Sequence, residues 1–418
     1  MACQDTKEQQ LWLACTEGNL ELVRSLCEDP AVDVNWADEE YHRTPLYRAS
    51  GHGQTDVVRL LLHLDRMDVN NSNQEGGTPL FIACQEGHAA IISLLINDPR
   101  VDVNATSHDG VTPFHMSCFG GHLPVVRLLL GDPRIIVTLA DIHGKTPFYM
   151  SCEKGHESVA ALLMADPRVD VSRPNMNEAT PFYIACEKGH RDVISLLLSD
   201  PRIDVNLPAK KATPFYISCQ EGHKEAVATL LDDPRVSVNQ PRDDNSTPLW
   251  FASQNGHLDV AQHLLASDRE VHVWVRSDFN QKTAAEQARQ QPDVKRGDHE
   301  TEDRARKRQT NGPAIANLID SYEIDPVAVK ARLRKTPGIR EHFIGQAFAL
   351  VVFHVDSFVA LRAEAPSTTR RFFNICGQLP MELQMVLCNR MFGSPRDVVP
   401  SRLSEPAFKW LVRLPEWQ

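Results

Sequence analysis

Six cysteines occupy one register of this 418-residue chain: Cys15, Cys84, Cys118, Cys152, Cys186 and Cys219. In five cases a histidine follows four residues later, from Cys84/His88 through Cys219/His223. Thiolates and imidazoles are zinc ligands, and thiolates are redox-active, so the columns could build a metal ladder or a redox array. A structural zinc site, however, needs four ligands converging on one ion, and packed helices stand about 8–10 Å apart. A glycine also turns the chain between each cysteine and its histidine. Cysteine serves equally as a small apolar residue at a packing position, and Ser50 and Ser253 fill the gaps in the column. That packing role is the expectation, with neither metal nor cofactor. The arginines of Asp-Pro-Arg at 98–100, 132–134, 166–168, 200–202 and 233–235 form another column. They could pair with aspartates of adjacent units or meet an acidic ligand, but exposed pairs contribute only about 0–1 kcal/mol, so a solvated structural ladder is the expectation. No nucleophile elbow, phosphate loop or paired acid site is present, so an enzyme is not expected.

The elements that position these columns follow from a Thr-Pro dipeptide. Its threonines are Thr44, Thr78, Thr112, Thr146, Thr180, Thr213 and Thr247, with a degenerate echo at Thr283. Successive steps are 34, 34, 34, 34, 33, 34 and 36 residues. Such a period means a stack of one supersecondary unit, each burying its apolar face against its neighbours. In the unit from Thr180, the hydroxyl caps a helix and Pro181 fits its first position, where no hydrogen bond is lost. Gly189 ends that helix in the left-handed conformation. Val193, Ile194, Leu196, Leu197 and Leu198 give a second helix a wide apolar stripe, and Pro201 stops it. Ile203 and Val205 suggest an extended link to the next unit.

These residues resemble the ankyrin repeat, whose signature is Thr-Pro-Leu-His-x-Ala, then Gly-His, then a leucine-rich helix. The resemblance covers residues 8 to 290 and implies an all-α solenoid of helix-turn-helix units. Residues 1–40 read as an N-terminal capping unit and 41–291 as the repeats, ending in the start of a degenerate ninth. Two departures are systematic. The Asp-Pro-Arg loop is one residue longer than usual, and the signature histidine, kept only as His115, is otherwise Tyr47, Phe81, Tyr149, Tyr183, Tyr216 and Trp250. The resemblance assigns the Gly-His histidines to bracing loops. It also implies a protein ligand in a concave groove lined by hairpin tips and first helices. The two positions before each glycine face that groove: Gln85, Glu86, Phe119, Gly120, Glu153, Lys154, Glu187, Lys188, Gln220, Glu221, Gln254 and Asn255. Phe119 stands out as a lone aromatic suited to anchoring a partner.

Charge narrows the partner. Residues 1 to 291 hold 25 Lys+Arg against 40 Asp+Glu, a net of −15. Phosphate binding needs clustered positive charge, so nucleic acid is not expected and a basic protein is favoured. The polar start MACQDTKEQQ has no secretory signature, and ten cysteines without one suggest reduced thiols in cytosol or nucleus. A monomer is expected. Residues 343 to 361 are long and apolar enough to span a membrane, but Gln346, His354 and Asp356 interrupt them, so a buried helix is the expectation.

Residues 292–312 are highly charged and read as a flexible insertion, delaying the second helix of the ninth unit to Ala314. Arg304, Arg306, Lys307 and Arg308 within them form a short basic cluster, a solvated loop or a nuclear import signal. Residues 313–418 read as a helical C-terminal domain, with a helix from Asp325-Pro326 to Arg334, one from Arg340 to Leu361, and one from Phe372 to Phe392. Inside it, Leu379, Pro380, Glu382, Leu383, Val386 and Leu387 resemble the opening of an F-box, a segment spanning 379–413 as in viral ankyrin proteins of the PRANC type. That resemblance implies a ubiquitin-ligase adaptor docking on the ligase's linker subunit. Without it, the tail reads as a cap over the last repeat.

Overall fold

A computed structural model describes residues 6–290, 302–340 and 342–343. They fold into helices, and the only strand-like pairing among them is an isolated bridge between Ala209 and Ala212. The chain separates into two compact units that part between Ile184 and Ala185.

In the first unit, helices come in pairs: α1 (Lys7–Glu17) with α2 (Leu20–Cys27), α3 (Pro45–Gly51) with α4 (Thr55–Leu62), and α5 (Pro79–Glu86) with α6 (Ala89–Ile96). Next come α7 (Pro113–Phe119) with α8 (Leu123–Leu130) and α9 (Pro147–Lys154) with α10 (Glu157–Met164); α11 (Pro181–Lys188) starts in this unit, and its residues from Ala185 on belong to the second. The odd-numbered helices α1 to α9 stack on one another in sequence, and so do the even-numbered ones, giving two layers. The threonines expected to cap do so. Thr44, Thr78, Thr146 and Thr180 each accept the backbone N–H three residues on, at 3.1–3.2 Å. Even the capping unit follows this logic, since Thr6 and Gln9 exchange the two hydrogen bonds of a capping box.

The core is the seam between the layers. Val57, Val58 and Leu61 of α4, Ile91, Ile92 and Leu95 of α6, and their equivalents in α8 and α10 are sealed from water. At the opposite edge, loop tips join by single backbone hydrogen bonds. Gln74 donates to Tyr41, His108 to Glu75, Ile142 to Asp109 and Met176 to His143, each at 2.9 Å.

The second unit continues with α12 (Arg191–Leu198), α13 (Pro214–Glu221), α14 (Lys224–Leu231), α15 (Pro248–Gln254), α16 (Leu258–Ala266) and α17 (Ala284–Gln290). α17 is the first helix of the ninth unit, capped by Thr283, whose hydroxyl accepts from Glu286 while Glu286 answers its backbone N–H. Its partner differs from expectation. α18 (Glu302–Ile324) packs on α15, α16 and α17, so the second helix begins twelve residues before Ala314 and takes in residues 302–312. Backbone contact holds this charged stretch in place. A side chain at Gly256 would meet Arg308 Cα at 2.5 Å, and the Asn311 amide donates to the Gly256 carbonyl at 2.9 Å. Within the basic cluster, Lys307 pairs with Asp303 one helical turn back at 2.7 Å.

α19 (Pro326–Leu333), capped by Asp325 as its sequence suggests, packs on α16 and α18. Just beyond it, Arg334 donates to the Ala266 carbonyl and pairs with Asp268, and His342 meets Asp232 at 3.0 Å. The described part of the tail therefore covers the last repeats. Most of the helix expected from Arg340 to Leu361, the helix expected from Phe372 to Phe392 and the F-box-like segment 379–413 lie outside the described residues.

Candidate partner-binding surface

The cysteine column is a packing column. Cys15, Cys84, Cys118, Cys152, Cys186 and Cys219 are 0% exposed. Burial pushes their thiols up, that of Cys152 to about 12, so they stay protonated and chemically quiet. Among the described residues no group of three or more His, Cys, Asp or Glu could hold a metal ion.

The histidines after each glycine brace the neighbouring repeat. The Nε2 of His88 lies 3.1 Å from the Gly51 carbonyl, that of His122 2.8 Å from Gln85, and that of His156 2.8 Å from Phe119. In the second unit His223 reaches Glu187 at 2.8 Å and His257 reaches Gln220 at 3.0 Å. A carbonyl can only accept, so each Nε2 carries the proton and satisfies an oxygen that the ending helix leaves open.

The Asp-Pro-Arg arginines act one layer away. Each pairs with the aspartate of its own loop rather than a neighbour's: Arg100–Asp98, Arg134–Asp132, Arg168–Asp166, Arg202–Asp200 and Arg235–Asp233, at 2.5–2.7 Å. The remaining guanidinium donors reach back to carbonyls ending the preceding second helix. Arg100 caps Leu62 at 2.6 Å, Arg134 caps Ile96 at 2.5 Å and Arg235 caps Leu198 at 2.7 Å. Charge-assisted bonds at a helix C-terminus favour this geometry.

Two further braces escape a reading of the sequence alone. Asn70 donates to the Arg100 carbonyl at 2.8 Å and accepts from the Asp102 N–H at 2.9 Å, a two-sided bridge that Asn35, Asn104, Asn206 and Asn239 repeat. The signal is the asparagine that ends each run of an apolar residue, any residue, valine and asparagine, as in Met67 to Asn70. Trp12, His115 and Trp250, six residues before their glycines, each reach the carbonyl just before the next capping threonine: Arg43 at 2.8 Å, Lys145 at 3.2 Å and Lys282 at 3.1 Å. The aromatic replacements thus do the signature histidine's bridging work at Trp250. At Tyr47 and Tyr149 the phenol oxygen instead accepts from Asn73 and Asn175.

With the framework occupied in this way, the positions before each glycine separate. In the first unit Gln85, Glu86, Phe119 and Lys154 are exposed, and Glu153 is half-buried against Lys145 at 2.9 Å. The Lys154 ammonium sits 4.3 Å from the Phe119 ring centroid, so this aromatic, 38% exposed, is already steadied by a cation. Gln85 and Glu86 join side chain to side chain at 3.1 Å. In the second unit Lys188 and Glu221 are exposed, while Glu187, Gln220 and Gln254 are half-buried. Lys188 pairs with Glu187 at 3.1 Å, and Gln220 donates to Glu221 at 3.0 Å. Asn255 is 8% exposed and donates to the Gln220 carbonyl at 2.8 Å, so its amide is taken up in bracing. Two exposed apolar loop tips of the first unit, Ile142 and Met176, were not singled out by spacing. Nor was a cavity of about 770 Å³ lined by Tyr41, Arg43, Tyr47, Arg48, Glu75 and Glu86 among others.

Among the described residues no helix is long and apolar enough to cross a membrane. Comparison with curated proteins returns no match. A family model described as ankyrin repeats (3 copies) matches residues 2–73, 64–141, 132–209 and 204–277, well over half of the chain. With its capped helix pairs, Gly-His braces and stacked layers, the chain belongs to the ankyrin-repeat family.

Proposed function

We propose that the protein is a non-catalytic scaffold that binds a partner protein across the ends of its first helices and its loop tips. Ankyrin repeats imply protein–protein interaction, and the observation carrying the reading here is a division of labour among side chains. The recurring residues are consumed in braces between repeats. In three successive repeats the two positions before the glycine read Gln85-Glu86, Phe119-Gly120 and Glu153-Lys154, and Gln85, Glu86, Phe119 and Lys154 stand exposed. A fixed framework presenting varied side chains is how solenoids recognise proteins. Charge reversal at Lys154 combined with Phe119→Glu tests it: a partner that binds this edge is lost while the helical signal and melting transition stay.

A second reading adds a role for the tail. The run Leu379-Pro380-Met381-Glu382-Leu383 resembles an F-box opening, and would make the chain a substrate-recruiting adaptor of a cullin-type ubiquitin ligase. Leu383→Asp with Leu387→Asp in the full chain tests it. The adaptor reading requires loss of the ligase linker subunit with retention of the repeat-bound partner, and recovery of no linker by the unaltered chain sinks it.

A further inference from the structure

We propose that the cavity between the second and third repeats seats a single carboxylate of an acidic side chain on the partner protein, gripped by Arg43 and Arg48. The inference rests on the scaffold reading and names the chemistry of one subsite within it.

Arg48 breaks a column. Four residues after each Thr-Pro threonine the other units carry Ile82, Met116, Met150, Ile184, Ile217 and Phe251. A lone guanidinium where the fold elsewhere places an apolar side chain marks a local rule set aside, and such departures collect at functional sites. The fold also holds this charge in place. Its guanidinium carbon lies 4.5 Å from the centroid of the Trp12 ring, and its Nε donates to the Thr16 hydroxyl at 3.1 Å. Arg43 is arranged alike, 4.1 Å over Tyr41 with its Nε on Asp38 at 3.2 Å. Trp12 ties the two together, since its indole N–H donates to the Arg43 carbonyl at 2.8 Å.

Both side chains therefore spend Nε and stacking on the protein, and the terminal nitrogens of Arg43 and Arg48 make no hydrogen bond among the described residues. Those fork ends are the donors that match a carboxylate. Arg48 is half-buried with its terminal nitrogens open to water, so an arriving anion would exchange that hydration for a charge-assisted fork. The local field agrees: burial and then the Arg43 charge lower Arg48, and burial and then Arg48 lower His52 on the same wall.

The opposite wall sets the limit on charge. Glu75 and Glu86 line the same cavity, and they repel a polyphosphate or a nucleic acid backbone. One carboxylate fits, next to a neutral or basic neighbour. The net charge of −15 over residues 1 to 291 favours a basic partner globally, and this subsite reads an acidic residue within it.

The test uses the full chain and two fluorescein-labelled peptides, one alternating glutamate with glycine and one alternating lysine with glycine, followed by anisotropy. Arg48→Ile restores the residue type of the other repeats and so preserves the fold; Arg43→Gln is the second variant. The expected result is saturable binding of the glutamate peptide, weakened about tenfold by either substitution and by added salt, as loss of a charge-assisted fork requires. Absence of saturable binding, equal binding of the lysine peptide, or indifference to both substitutions overturns the proposal. A partner lost on altering Phe119 and Lys154 yet indifferent to Arg48→Ile would leave the scaffold standing and remove this subsite alone.

Discussion

The imidazole of His122 lies over Gly87 of the preceding repeat: its Nε2 meets the Gln85 carbonyl at 2.8 Å, and a Cβ at Gly87 would come within 2.7 Å of its Nδ1. Gly87 is in the left-handed region at φ +79, so the glycine is required twice, by its own backbone and by the ring above it. The same contact recurs at Gly121 under His156, and in the second unit at Gly222 under His257. Gly-His is one interaction written across two units. Gly87→Ala should cost about 1–2 kcal/mol for the backbone plus the displacement of the ring, and His122→Ala about 1 kcal/mol for the lost bond. Urea unfolding of the two single variants and the double should therefore be non-additive, with Gly87→Ala cheaper once His122 is gone. Additive costs would mean that ring and glycine do not interact.

His115 makes stability depend on pH. It is 0% exposed; its Nδ1 accepts from the Thr112 N–H at 3.1 Å, and its Nε2 faces the Lys145 carbonyl at 3.2 Å. Burial lowers its pKa to about 4. The folded value is depressed, so the unfolded chain binds the proton first. The contribution is complete above the unfolded value of about 6.5 and is lost as pH falls from there toward 4. Across that window the loss amounts to about 3 kcal/mol. His115→Tyr, the residue of Tyr47, Tyr149, Tyr183 and Tyr216, should flatten the decline between pH 6.5 and 4 in thermal melts. An unchanged slope would show that another group sets it.

Arg134 should matter more to its loop than an exposed ion pair does. It clamps Asp132 at 2.6 Å and caps the Ile96 carbonyl at 2.5 Å. Arg134→Gln is expected to destabilise by about 1 kcal/mol and to raise amide exchange at the end of α6 first. The hydrogen bond from Arg134 holds the Asp132 carboxyl below its ordinary value, a stabilisation present above about pH 4 and lost on acidification below it. The variant should therefore differ least from the parent in strong acid.

The asparagine bridge is interrupted at Thr138 and Ser172, between Asn104 and Asn206. Thr138→Asn would offer an amide to the Arg168 carbonyl and an acceptor to the Asp170 N–H, as Asn104 does for Arg134 and Ile136. A gain of about 1 kcal/mol in urea unfolding is expected. A neutral or destabilising result would show that the Thr138 site lacks the Asn104 geometry.

Sequence reading succeeded where the cause is local. Thr-Pro, Gly-His and the leucine stripe each state a cap, a left-handed turn or a buried face within one unit, and their spacing alone yields the stack. It faltered where the partner is a backbone carbonyl of the next unit, which carries no side-chain signature. The Ile96 carbonyl that Arg134 caps could therefore not be named in advance, and Asn104 was passed over. The start of α18 was misplaced because residues 302–312 lack apolar periodicity, and the helix is seated instead by backbone against Gly256. The two positions before each glycine include Asn255, whose amide braces the Gln220 carbonyl, and exclude Arg48, which stands in a column that is apolar in the other Thr-Pro units.

The most direct measurement of the scaffold account is quantitative affinity purification of the full chain beside two altered chains. One carries Phe119→Glu and Lys154→Glu on the first-helix edge; the other carries Arg59→Glu and Arg127→Glu, exposed on the second-helix layer. The account predicts a protein partner retained by the full chain and the second-layer variant and lost from the first-helix variant, with all three melting alike. Partners shared equally by all three, or lost equally from both variants, would contradict it.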